Sequence, residues 1–145
     1  MQHPPIILIA DDDEGHTILI RENLADAGLN NPMRCFRDGQ ALLDYLGGAA
    51  PAPAEKAPCL LLLDIRMPKV DGLTVLRRLK ADPNLRRIPV VMLTTTDDPR
   101  EVERCYELGC NVYIRKPVDY EKFAEAIRRL GLFVTLVLEP LAGGD

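Results

Sequence analysis

The residues of this 145-residue chain best suited to chemistry each stand at the end of an apolar run. Asp11 and Asp12 follow Ile6 to Ala10, Asp64 follows four consecutive leucines from Leu60 to Leu63, Thr94 and Thr95 follow Ile88 to Leu93, and Lys116 follows a short run at Val112 to Ile114. Three carboxylates brought together repel one another, and a bound cation removes the conflict. Hard oxygen donors with room for water suit Mg²⁺, which commonly takes one or two carboxylates together with phosphate oxygens. Lysine supplies a point charge for phosphate, and threonine hydroxyls can donate to it. A carboxylate can itself accept a phosphoryl group as an aspartyl phosphate, and Asp64 is the natural nucleophile. The set therefore reads as phosphoryl chemistry with Asp64 as acceptor, Mg²⁺ on the acids, and Thr94, Thr95 and Lys116 on the phosphate. Plainer roles exist for each residue: Asp11 to Asp13 as helix caps, Lys116 as a solvated loop charge, Thr94 as an ordinary strand residue.

Convergence requires elements that bring distant positions to one edge. The run Leu60 to Leu63 has the character of a strand buried on both faces, and Met67-Pro68 forbids a helix directly after it. Asp71-Gly72 reads as a turn, with Asp71 structural. Ile6 to Ala10 is a second buried strand, followed by a helix from about Glu14 to Ala27 that Gly28 stops. Met33 to Arg37 suits a short strand, and Asp38-Gly39 opens a helix carrying Leu42, Leu43 and Leu46. Residues 47–58, with three prolines, read as a long surface loop. A helix over Thr74 to Lys80, a strand over Ile88 to Leu93 and a helix starting at Asp98-Pro99 follow, the last stopping at Gly109. Val112 to Ile114 is a short strand, and Asp119 caps a final helix with Phe123, Ile127 and Leu130 on one side. The order βαβαβαβαβα implies an α/β fold with a doubly wound parallel sheet and helices on both faces. In such a sheet all the residues named above stand at one edge, where open α/β sheets place their chemistry.

Composition is that of an ordinary globular domain, with 47% hydrophobic and 28% charged residues. A net charge of −4 argues against a general nucleic-acid surface. No apolar run approaches the roughly 20 residues that span a bilayer, and the first residues lack the features of a signal peptide. The four cysteines form no Cys-x-x-Cys pair and the histidines are only His3 and His16, so the expectation is reduced, mostly buried thiols in the cytoplasm rather than zinc. Asp13 and His16 are expected to face solvent.

The motifs Ile-Ala-Asp-Asp-Asp, Leu-Leu-Asp-Ile-Arg-Met-Pro-Lys-Val-Asp-Gly, Val-Met-Leu-Thr-Thr and Tyr-Ile-Arg-Lys-Pro, in this order over about residues 5–131, resemble the receiver domain of two-component response regulators. The resemblance implies a flavodoxin-like five-stranded sheet in the order 2-1-3-4-5 with five helices. It implies Asp64 as phosphoacceptor, Asp12 and Asp64 as side-chain ligands of Mg²⁺, Asp11 holding the metal's water shell, and the Arg66 backbone carbonyl as a further ligand. Lys116 would bind phosphoryl oxygens, Thr94 would move to the phosphoryl group, and Tyr113 would rotate inward behind it. A cis bond before Pro117 is implied as well. The expected activity is that of a stand-alone phosphorelay switch fed by a sensor histidine kinase, not a conventional enzyme. The long loop, the apolar tail and the stretch from Leu79 to Thr95 are similar to regulators that accompany bacterial phytochromes, which makes a bacteriophytochrome the implied kinase.

Two features depart from the family pattern. Arg66 is a long cation whose side chain can shield the phosphoryl group from water. The tail from residue 132 to 145 extends the chain beyond the usual boundary, and Leu132 to Leu138 is nearly all apolar. It can extend the last helix, fold back on its own domain, or pair with a second subunit. A helix apolar on most sides needs more than one surface to bury it, which favours a homodimer. Two rival readings are a haloacid-dehalogenase-type phosphatase and a phosphorylation-independent scaffold. The first wants an acid where Arg66 stands; the second leaves the complete set of site residues without a purpose.

Overall fold

The structure is a computed structural model, and it describes residues 6–47, 58–95, 98–116 and 119–137. Five strands alternate with five helices: β1 (Ile6–Ala10), α1 (Glu14–Asp26), β2 (Met33–Phe36), α2 (Gly39–Gly47), β3 (Pro58–Asp64), α3 (Gly72–Ala81), β4 (Val90–Thr94), α4 (Pro99–Glu107), β5 (Val112–Arg115) and α5 (Tyr120–Val137). The sheet is parallel throughout, in the order β2-β1-β3-β4-β5, the order expected of a flavodoxin-like fold.

Period-2 alternation sorts the central strands into two cores. Leu8, Leu61, Leu63, Val90 and Met92 face one side, where they meet Leu42, Val75, Leu76, Leu79 and Cys105 of α2, α3 and α4. Ile7, Ile9, Leu60, Leu62, Val91 and Leu93 face the other, against Ile20 and Leu24 of α1 and Phe123, Ile127 and Leu130 of α5. Unbroken apolar runs are needed because β1, β3 and β4 are covered on both faces. The edge strands β2 and β5 are short and partly exposed, as edges must be.

Several boundaries differ from the sequence reading for local reasons. Helix α3 begins at Gly72, because Asp71 is its cap rather than part of a separate turn: the Asp71 carboxylate accepts the Thr74 amide at 2.8 Å. Strand β4 begins at Val90 and runs on through Thr94. Ile88 instead closes the preceding turn, its amide bonding the Leu85 carbonyl at 3.1 Å, and Pro89 has no amide for the ladder. Gly28 and Gly109 both take positive φ after helices, at 101° and 102°. Of the three cysteines whose burial is described, Cys105 and Cys110 are buried and Cys35 on edge strand β2 is exposed, in keeping with mostly buried thiols. Helix α5 continues through Val137, so the tail does extend the last helix. Of the expected loop over 47–58, Gly47 instead ends α2 and Pro58 begins β3; residues 48–57, the bond before Pro117 and the chain from Leu138 lie outside the described residues.

Candidate phosphoryl and metal site

Strand ends build the site. Asp11 directly follows β1, Asp64 is the last residue of β3, Thr94 the last of β4, and Lys116 directly follows β5. Asp11, Asp64, Thr94 and Lys116 are the buried polar residues among those described. Such groups lie inside only when paired, and three of them pair with one another. Lys116 Nζ donates to Asp11 Oδ2 at 2.6 Å and to Asp64 Oδ2 at 3.1 Å. The lysine backbone is tied to the neighbouring strand, its amide bonding the Thr94 carbonyl at 2.6 Å. Its side chain then crosses the edge of the sheet to reach β1. The solvated-loop role for Lys116 is thereby excluded.

Asp11, Asp12 and Asp64 each present a carboxylate oxygen, and these oxygens all lie within 4.8 Å of one another. Asp11 Oδ1 accepts the Asp13 amide at 2.9 Å, which fixes the turn out of β1. Asp12 is exposed. Burial pushes the Asp64 carboxyl up to about 6; Lys116 opposes the rise, Asp11 adds to it, and the Arg66 backbone amide donates to the carboxylate and lowers it again. Three hard oxygen donors in this space, with one open to solvent, fit a divalent cation that keeps some of its water. Beside them lies an open groove of about 420 Å³ lined by Asp12, Ile65, Arg66, Met67, Pro68 and Glu101 among others.

Gly72 lets the backbone of Asp64 approach helix α3. Its amide bonds the Ile65 carbonyl at 2.7 Å, and a Cβ at this position would collide with the Asp64 carbonyl oxygen. Thr94 is fully buried and its hydroxyl shares a hydrogen bond with the Tyr113 phenol. Burial, with the nearby Cys105 and Glu101 charges, pushes that phenol up to about 12. One oxygen of Glu101 is itself buried without a hydrogen-bond partner. Thr95 is exposed just beyond the strand, and the Arg66 residue is exposed above the groove.

The structure thus gathers Asp11, Asp12, Asp64 and Lys116 into one cluster and couples Thr94 to Tyr113 on the next two strands. It also corrects the sequence reading at His16, which does not simply face solvent. His16 is half-buried, with Nδ1 3.2 Å from Lys116 Nζ and its ring edge-on to Tyr120 and Phe123 of α5. Asp13 is exposed as expected, and also caps α1 by accepting the His16 amide at 3.1 Å. That amide is the chief cause of its lowered pKa. The cap at Asp13 places residue 16 in the first turn of α1, but its partner Lys116 is not marked in the sequence.

Known proteins resemble this chain in sequence and fold. The family model for the response regulator receiver domain matches residues 7–128. Response regulator Rcp1 of Synechocystis is 36% identical over 113 residues, covering 78% of this chain and 77% of that protein. The crystal structure of the Mn²⁺-bound form of response regulator Rcp1 superposes with a TM-score of 0.81 at 32% identity, covering 90% of this chain and 94% of that one. A receiver domain from Rhodospirillum rubrum superposes with a TM-score of 0.84 at 47% identity (91% and 94% covered). The phosphorylated cyanobacterial phytochrome response regulator RcpA does so with 0.83 at 33% identity (90% and 93% covered). With its strand order, its acidic trio and its buried lysine, this chain belongs to the family of response regulator receiver domains.

Proposed function

We propose that the chain accepts a phosphoryl group on Asp64 from a histidine kinase and turns that event into a changed interaction surface. The observation that carries this reading is the lysine ammonium bridging Asp11 and Asp64 beside the acidic trio. An Asp64 carboxylate oxygen would attack the phosphorus of a phosphohistidine; the P–O bond forms as the P–N bond breaks, and the imidazole leaves with the electron pair. A Mg²⁺ ion held by Asp12 and Asp64, with the Arg66 carbonyl and with Asp11 behind its water shell, would supply charge neutralisation at the phosphoryl oxygens. Lys116 holds the acceptor oxygen in place beforehand and binds a phosphoryl oxygen afterwards. The Thr94 hydroxyl would exchange Tyr113 for the phosphoryl group, with Thr95 at the same rim. The new group adds roughly 1.5–2 negative charges. The coupled movement of Thr94 and Tyr113 would alter the surface formed by α4, β5 and α5.

The kinship with Rcp1 and RcpA supports a bacteriophytochrome as the kinase. Among the described residues no helix is long and apolar enough to cross a membrane, and a cytoplasmic regulator accords with that. The apolar continuation of α5 supports pairing of two copies through the last helix and the tail. Incubation with a phytochrome-linked histidine kinase and labelled ATP tests the reading. Label should pass to the wild type in Mg²⁺ and not to Asp64→Asn; label on both, or on neither while the kinase itself is labelled, contradicts it.

A further inference from the structure

The Lys116 ammonium has three protons and three acceptors. Asp11 Oδ2 lies at 2.6 Å, Asp64 Oδ2 at 3.1 Å and His16 Nδ1 at 3.2 Å. An ammonium has no lone pair, so we read the contact to His16 as an N–H donated to Nδ1, with the ring hydrogen on Nε2; Asp13 Oδ2 at 3.6 Å and Asp11 Oδ2 at 3.8 Å stand farther from the same nitrogen. The imidazole is not free to drift from this contact. Its backbone is held in the first turn of α1 by the Asp13 cap. Its ring meets Tyr120 edge-on at 6.0 Å and Phe123 at 5.7 Å, the second of these fully buried. Asp11, the other anchor, is in turn fixed by the Asp13 amide.

We propose that His16 is a positioning residue for the phosphoryl-binding lysine, acting as the second fixed anchor that aims the remaining N–H of Lys116 at Asp64. The inference rests on the reading of Asp64 and Lys116 as the phosphoryl site. Once a phosphoryl group is on Asp64, that third N–H must follow its oxygens. An ammonium on a flexible four-carbon stem held by Asp11 alone pivots about one bond; held by Asp11 and His16, its third proton has one direction. His16 touches neither the phosphoryl group nor the metal in this scheme, and it works through Lys116. Because its ring leans on Tyr120 and Phe123, it also ties the start of α5 to the lysine.

Two substitutions separate the acceptor from the ring. His16→Phe keeps the edge-on packing and removes the acceptor. His16→Asn removes the ring and keeps an acceptor at the position of Nδ1. The readout is the affinity for beryllofluoride, a phosphoryl mimic, in saturating Mg²⁺, followed by fluorine NMR, with thermal melting reporting on the fold. The expected result is binding weakened about tenfold in His16→Phe, the worth of one charge-assisted hydrogen bond, and restored to within about twofold by His16→Asn. Wild-type affinity in His16→Phe with loss in His16→Asn would mean that the ring only packs, and would overturn the proposal. Equal affinity in all three proteins would overturn it too. A folded wild type that binds no beryllofluoride would remove the phosphoryl site itself, and the proposal with it.

Discussion

Asp64 is buried beside another acid and its carboxyl is pushed up to about 6, above the ordinary 3.8. The folded protein therefore holds a proton there that the unfolded chain releases. Between about pH 6 and 4 the native state binds more protons, so the ionised group costs stability above that window, and the cost fades as pH falls through it. Asp64→Asn should stabilise the metal-free protein by about 1–3 kcal/mol at pH 8 and by much less near pH 4, measured as urea midpoints in a chelator. Mg²⁺ should raise the midpoint of the wild type and leave that of Asp64→Asn nearly unmoved; the reverse pattern counts against a cation on this carboxylate. Arg66 stands above the same groove, and shielding of the phosphoryl group from water is its expected effect. Arg66→Asn should shorten the aspartyl-phosphate lifetime while the rate of phosphorylation changes little, and equal lifetimes would reject that role. His16 shows what residue types alone do not give. Its partner Lys116 lies a hundred positions away, and nothing in the composition of the first turn of α1 names it.

The strands that carry the site were legible because each is an apolar run long enough for one buried strand and ends in a polar residue. Alternation added nothing to that reading, since both faces are covered, and so element ends had to come from turn chemistry. There the cap at Asp71 competed with a turn and won, because its carboxylate reaches the Thr74 amide. The consequence is a helix starting directly against the backbone of Asp64, with Gly72 filling a place where no side chain fits. Gly72→Ala should destabilise the protein by about 2–3 kcal/mol, as overpacking against a rigid carbonyl does. It should also impair beryllofluoride binding, because relief of the clash moves Asp64. A variant of unchanged melting temperature would show that the helix start adjusts freely. The family resemblance singled out Thr94 and Tyr113, and the structure places them on adjacent strands with a hydrogen bond between their side chains.

Across the molecule, the parallel sheet does the assembling: the ends of β1 and β3 bring Asp11 and Asp64 within hydrogen-bonding reach of Lys116, which follows β5. The βαβ alternation was readable throughout, and so was the sheet order once the family resemblance was recognised. The use made of α5 was not, since an apolar tail suits extension, back-folding and pairing equally well in sequence. The structure settles its helical character as far as Val137 and leaves Leu132 exposed on it. The proposed cover for this helix is a second copy. Light scattering at high concentration should give the mass of a dimer, and truncation after residue 131 should return it to a monomer; a strict monomer in the full chain would defeat the pairing.

The central claim is that an acyl phosphate forms on one carboxylate, with a divalent ion and a lysine at its side. Intact-mass spectrometry after incubation with a small phosphoryl donor tests it most directly. The predicted result is the mass of one added phosphoryl group in Mg²⁺, lost in chelator and absent from Asp64→Asn. A phosphoryl group that still adds to Asp64→Asn, or that adds equally well without any divalent ion, would contradict it.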